Sequence, residues 1–173
     1  MNIAAVLQTL EDLIAEGVLD SYAVGGAVAA TYFLEPISTQ DVDVFVRMPS
    51  AGKAIVDPTP IFAFLAKRGY AMDGEYVMIE GWPVQFLAPP GELGEEALDQ
   101  AQLVEADGVP VRIVGAEHLA AIALATGRAK DKARLLMFLE DPGFDRTGFQ
   151  EIVRRHRLEE RWAKFVQEFK VEP

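Results

Sequence analysis

Asp41 and Asp43 are the residues whose types and spacing could do chemistry, in the stretch Thr39-Gln-Asp41-Val-Asp43-Val-Phe-Val. The apolar residues around them predict a strand over Asp41–Val46. Side chains on a strand alternate faces, so the two carboxylates project from one side, about 7 Å apart along the backbone. Carboxylates so placed repel unless water or a cation lies between them. Hard oxygen donors of this kind suit Mg²⁺ bridged to substrate phosphates. Fifteen residues upstream, Tyr22-Ala-Val-Gly25-Gly26-Ala-Val-Ala reads as a strand, a glycine turn and a helix start. Glycines there let backbone N–H groups approach a phosphate. Together the two segments imply a site for a metal-bound nucleoside triphosphate. The competing readings are an edge strand with solvated carboxylates, a tight packing turn, and a purely structural Ca²⁺ or Mg²⁺ site.

The elements that must position these residues follow from periodicity. Ile3, Val6, Leu7, Leu10, Leu13 and Ile14 recur at helical spacing and predict a helix over residues 2–16, with Gly17 at its end. Ser21–Val24 reads as a strand and Gly26–Leu34 as a helix that Pro36 terminates. Residues 48–60 hold three prolines and read as a loop, and Ile61–Arg68 reads as a helix stopped by Gly69. Tyr76–Glu80 and Pro83–Leu87 predict a hairpin turning on Gly81-Trp82. Pro89, Pro90 and Gly91 read as loop. Gln102–Ala106 and Val109–Val114 predict a second hairpin around Asp107-Gly108. From Ala116 to Lys170 the chain reads as helical, with breaks near Gly127 and Asp141-Pro-Gly143.

The chain has 173 residues, half of them apolar, and a net charge of −11. That length fits one domain with a helical extension. The absence of cysteine excludes disulfides and thiolate metal sites. No secretory leader is visible at the N-terminus and no apolar run is long enough to span a membrane, so the expected location is the cytoplasm. The acidity argues against tight binding along duplex DNA, where contacts from Lys and Arg to phosphate dominate.

Gly25-Gly26, a helix, then Thr39-x-Asp41-Val-Asp43 resembles the nucleotidyltransferase superfamily, whose fold DNA polymerase β shares. The segment Gly127-Arg128-Ala-Lys130-Asp131, after Glu117-His118-Leu119, is most similar to the nucleotidyltransferase-like toxins of type IV toxin–antitoxin systems and related uncharacterised bacterial proteins. The resemblance covers residues about 20–140. It implies an α+β fold, a small mixed sheet flanked by helices, with residues 1–115 as the core and 116–173 as a helical segment packed on it. It implies Mg²⁺ on Asp41 and Asp43, and a triphosphate held by Gly25 and Gly26 with help from Thr39, Arg128 and Lys130. It implies an NTP substrate and an acceptor hydroxyl on RNA (including tRNA), a protein or a small molecule, with an antitoxin-like protein as a further partner.

Three positions depart from the family pattern. The third carboxylate, expected in Val84-Gln85-Phe86-Leu87, is Gln85, which carries no charge and cannot act as a general base. Glu80, across the hairpin, is a candidate substitute. An arginine and a lysine common in the family are Ile37 and Ala123 here. The alternative function is therefore a catalytically degenerate protein that keeps the fold as a nucleotide-binding or interaction module.

Outside this constellation, bland readings prevail. His118 and His156 lack partners at ligand spacing and read as structural. Arg154, Arg155, Arg157, Arg161 and Lys164, interleaved with Glu159 and Glu160, read as a solvated helix face. Trp162, Phe165, Val166 and Phe169 read as core or an oligomer contact.

Overall fold

A computed structural model describes residues 2–35, 39–49 and 57–172. Pro36, Ile37 and Ser38, and residues 50–56 of the expected loop, lie outside the described residues. The chain divides into two compact units, Met1–Val114 and Gly115–Pro173.

The first unit is built on a mixed seven-stranded sheet of order β3-β4-β5-β2-β1-β7-β6. Its elements are α1 (Ile3–Ala15), β1 (Ser21–Val24), α2 (Gly26–Ala30), β2 (Val42–Arg47), α3 (Thr59–Lys67), β3 (Ala71–Asp73), β4 (Tyr76–Ile79), β5 (Trp82–Leu87), α4 (Gly91–Asp99), β6 (Gln102–Ala106) and β7 (Val109–Ile113). The sheet is parallel at β2–β5 and β1–β7 and antiparallel elsewhere. The second unit is all helical: α5 (Ala116–Thr126), α6 (Ala129–Glu140), α7 (Arg146–Arg155) and α8 (Glu159–Phe169).

Strand alternation decides the two faces of the sheet. Val42, Val44 and Val46 are buried on one face, and Tyr22 and Val24 of β1 lie opposite Val46 and Val44 on that same face. Helix α1 covers this side, because the buried Tyr22 hydroxyl donates to the Glu11 carboxylate. Arg68, at the end of α3, pairs with Asp12 and sets α3 beside α1. On the other face, Arg47 pairs with both Glu95 and Asp99 of α4, each at 2.6 Å. Asp43 lies on this second face, further along β2, and Asp41 immediately precedes the strand.

Five elements differ from the sequence reading, one of them the helical tail, which breaks again at His156-Arg157-Leu158, where Arg157 has a φ of +56°. The helix after Gly25 is regular only to Ala30. Beyond it, Tyr32 and Phe33 bond three residues back, to Ala29 and Ala30, which tightens the chain into turns. Helix α4 takes Gly91 from the expected loop and fills residues 92–99, for which the sequence reading offers no element. Its glycines hide the pattern, and Gly94 is required by packing, since a Cβ there would lie 2.8 Å from the Pro89 carbonyl carbon. Strand β3 is three exposed residues with no alternation to read. The first hairpin turns on Glu80-Gly81 rather than Gly81-Trp82. Glu80 and Gly81 have φ of +50° and +84°, the paired positive φ of a type I′ turn, and a bulky Trp is disfavoured there.

Burial, and next the hydrogen bond to Glu11, hold the Tyr22 phenol well above its ordinary range. A group whose folded pKa is raised stabilises fully below its unfolded value, near 10, and loses that stabilisation as pH rises beyond it. Tyr22→Phe is expected to cost about 1–2 kcal/mol at pH 7. Urea unfolding at pH 9 and pH 11 should show a smaller drop in stability for the variant than for the parent.

Candidate active site

The site begins where β1 ends. Gly25 closes the strand, and its N–H donates to the Asp43 carbonyl at 2.8 Å. That amide is therefore committed to the backbone. The amides that open α2, from Gly26 onward, have no acceptor inside the helix, as in any first helical turn. Gly26 adopts a φ of +59° and is packed on the side chain of Asp43. A Cβ on Gly26 would stand 2.1 Å from Asp43 Oδ2, well inside contact distance. No other residue fits without moving the carboxylate. A Cβ on Gly25 would meet the Phe45 ring at 3.4 Å, which a small shift accommodates.

Asp41 lies just before β2. The Thr39 hydroxyl donates to its carbonyl at 3.0 Å, with Oδ1 at 3.3 Å, so Thr39 fixes the approach to the strand. Asp41 and Asp43 are both half-buried. Parallel pairing of β2 with β5 sets Gln85 directly opposite Asp43. Gly25, Gly26, Thr39, Asp41, Asp43 and Gln85 are thus brought together on the first unit.

Tyr76 joins this row and was missed from sequence. The observed hairpin pairs Val77 with Val84, so the next step of the register puts Tyr76 beside Gln85. A turn at Gly81-Trp82 would instead place it opposite Leu87. The half-buried Tyr76 phenol is raised above its ordinary value, first by burial and then by the charges of Glu75, Asp41 and Asp43. Asp73 of β3 pairs with Tyr76 and extends the row by one strand. Glu80, the candidate substitute for the third carboxylate, sits in the exposed hairpin turn, where Tyr70 donates to it at 3.5 Å. Gln85 lies three residues beyond the start of β5, so Glu80 is about 10 Å further along the strand direction.

Arg128 and Lys130 belong to the second unit. Arg128 is the N-cap of α6 rather than a residue within it. Its guanidinium bonds the Asp131 carboxylate through Nε at 2.6 Å and Nη2 at 3.2 Å. Asp131 is 2% exposed, so this bidentate pair satisfies a buried charge. Lys130 is exposed on the first turn of α6. Ala123 is buried on α5, while Ile37 lies outside the described residues. His118 is 6% exposed within α5.

The donor set on the first unit fits Mg²⁺. This ion is held by one or two carboxylates, with waters and substrate phosphates completing its shell. Asp41 and Asp43 supply those carboxylates, and the Gln85 carbonyl oxygen is a further hard donor. Among the described residues, no three His, Asp or Glu side chains converge as a self-sufficient metal cage.

No family model matches the chain, and no curated protein matches its sequence. Solved structures do match. An antigenic nucleotidyltransferase-like protein from Paracoccidioides brasiliensis aligns over 96% of this chain and 86% of its own, with a TM-score of 0.65 and 13% identity. ANT(2″)-Ia, solved with adenylyl-2″-tobramycin, aligns over 98% and 99%, with a TM-score of 0.49 and 14% identity. The fold assignment rests on the first. The chain has the nucleotidyltransferase fold, an α+β mixed sheet flanked by helices. Among the described residues, no helix is long and apolar enough to cross a membrane.

The contact between Gly26 and Asp43 yields a double-mutant test. Gly26→Ala is expected to cost about 1–2 kcal/mol for the left-handed backbone, plus the clash with Asp43. In an Asp43→Ala background the clash term disappears, so the same substitution should cost less. Chemical denaturation of the four proteins reads the coupling.

Proposed function

We propose that this chain is a Mg²⁺-dependent nucleotidyltransferase that moves a nucleoside monophosphate from an NTP to an acceptor hydroxyl. The observation that carries this reading is the packing of Asp43 on Gly26. It joins a carboxylate pair to a glycine turn, beside helix-opening amides, with no space for a Cβ at Gly26 unless the Asp43 carboxylate moves.

In this reading Asp41 and Asp43 hold the metal, with Gln85 beside them. When bound, the metal neutralises phosphate charge and polarises the α-phosphorus for in-line displacement. The amides from Gly26 onward bind phosphate oxygens, and Gly25 shapes the turn that presents them. Thr39 keeps Asp41 oriented. The acceptor approaches from the Gln85 and Tyr76 side, opposite the glycine turn that holds the leaving pyrophosphate. Gln85 accepts a hydrogen bond from the acceptor hydroxyl but cannot take its proton. The acceptor oxygen bonds to the α-phosphorus, the bond to pyrophosphate breaks, and the proton passes to solvent.

The second reading, a degenerate member acting as a nucleotide-binding or interaction module, is favoured by Gln85 itself. The position facing Asp43 lacks the base that would raise the rate. An antitoxin-like partner and a cytoplasmic location belong to these readings as proposals.

Pyrophosphate release from each of the four NTPs, with Mg²⁺ and a panel of hydroxyl acceptors, tests both. Asp41→Asn and Asp43→Asn are expected to lower release at least about 10²-fold, the scale of a lost electrostatic contact in a transition state. Gln85→Asp is expected to raise it. Release unchanged by Asp43→Asn contradicts the transfer reading. Release seen only in Gln85→Asp favours the degenerate one.

A further inference from the structure

The second unit carries a cleft that the proposed transfer does not use. Two adjoining cavities of about 280 and 390 Å³ share Gly127, Lys132 and Glu168. The smaller is lined by Arg161, Lys164 and Lys132 over an apolar floor that includes Leu135 and Phe165. Arg161, Lys164, Phe165 and Glu168 recur at helical spacing and share one face of α8. Phe165, only 3% exposed, turns that face inward. Arg161 Nη1 lies 3.9 Å from where a Cβ on Gly127 would stand, so the guanidinium sits against the bare backbone of the turn between α5 and α6.

The charge balance of this cleft is unlike that of the rest of the chain. Acidic residues outnumber Lys and Arg by 27 to 16. Arg47, Arg68, Arg128 and Lys132 each have a carboxylate partner. Among the described residues Arg161 and Lys164 make no ion pair, although both line the cavity. Two like charges three apart on one helix face repel each other and destabilise the helix. Lys132 adds a third cation, and Glu168, at 2.7 Å from it, is the one carboxylate in the lining.

We infer that this cleft binds the phosphate group of a small phosphate ester. Arg161 offers a planar fork of donors and Lys164 a point charge, a combination suited to phosphoryl oxygens. Leu136 and Phe169, half-buried in the adjoining larger cavity, take the organic part. The larger cavity, about 390 Å³, falls within the range that small ligands occupy, roughly 300–1,000 Å³, and the smaller adjoins it. The net charge of −11 opposes a long polyanion such as RNA and leaves a small ligand favoured. This site is independent of the transfer reading, because none of its residues lies on the sheet.

AMP and inorganic phosphate are the probes, titrated by calorimetry in EDTA so that no divalent metal contributes. AMP is expected to bind the parent protein. Arg161→Gln/Lys164→Gln, at exposed positions, is expected to weaken it at least about tenfold with an unchanged circular dichroism spectrum. Asp41→Ala/Asp43→Ala is expected to bind AMP as the parent does, even if it abolishes transfer. Glu168→Gln, which releases Lys132, is expected to tighten binding. Three results overturn the inference: no binding of either probe to the parent, equal binding by the Arg161/Lys164 variant, or tighter binding of a single-stranded RNA decamer than of AMP.

Discussion

The contact between the Asp43 carboxylate and the backbone of Gly26 is the constraint on which the candidate site depends. It leaves no room for a Cβ, and it holds Gly26 at a backbone angle that other residues reach only at a cost. The hydrogen bond from Gly25 N–H to the Asp43 carbonyl fastens the same two segments from the main-chain side. One residue of β2 therefore aims a carboxylate at the start of α2 and anchors the turn that precedes it. Neither segment can shift alone without breaking the other's geometry.

The sheet order turns this contact into a site with two ends. β2 lies between β1 and β5, so the carboxylates have the glycine turn on one side and Gln85 on the other. Beyond Gln85, β4 contributes Tyr76 and β3 contributes Asp73. The first end is backbone and glycine, which suits phosphate. The second is made of side chains, Gln85, Tyr76 and at its edge Asp73, which offer hydrogen bonds to a hydroxyl. Helix α1 covers the opposite face, where Glu11 accepts from the buried Tyr22 hydroxyl. Arg47, held by two carboxylates of α4, anchors the far end of β2.

Much of this was legible in sequence, for physical reasons that also mark where it stopped. The period of two on β2 put Asp41 and Asp43 on one face, and Gly25-Gly26 announced a turn that only glycine could make. Amphipathic α1 and the hairpin at Asp107-Gly108 were equally plain. The packing of Gly26 on Asp43 was not, because it links residues seventeen positions apart. Tyr76 was missed through one turn: moving the loop from Gly81-Trp82 to Glu80-Gly81 changes the hairpin partner of every residue on β4. Helix α4 was hidden by Gly91 and Gly94, the second of which is there for close packing on Pro89 and Pro90. Arg128, expected to help hold a triphosphate, caps α6 and is engaged by Asp131. Of these, the Gly26–Asp43 contact is tertiary, while the hairpin turn, the Gly94 packing and the Arg128–Asp131 pair are local geometries that residue periodicity does not display.

A metal–nucleotide site at the Asp43–Gly26 junction, as proposed, would hold a bound ion beside both residues. The most direct measurement is paramagnetic broadening of assigned backbone amide signals by Mn²⁺ together with a non-hydrolysable NTP analogue. The account predicts selective loss of signal at Gly26, Asp41, Asp43 and Gln85, reversed by excess Mg²⁺ and absent in Asp43→Ala. Broadening that avoids these amides, or that persists in Asp43→Ala, would contradict it.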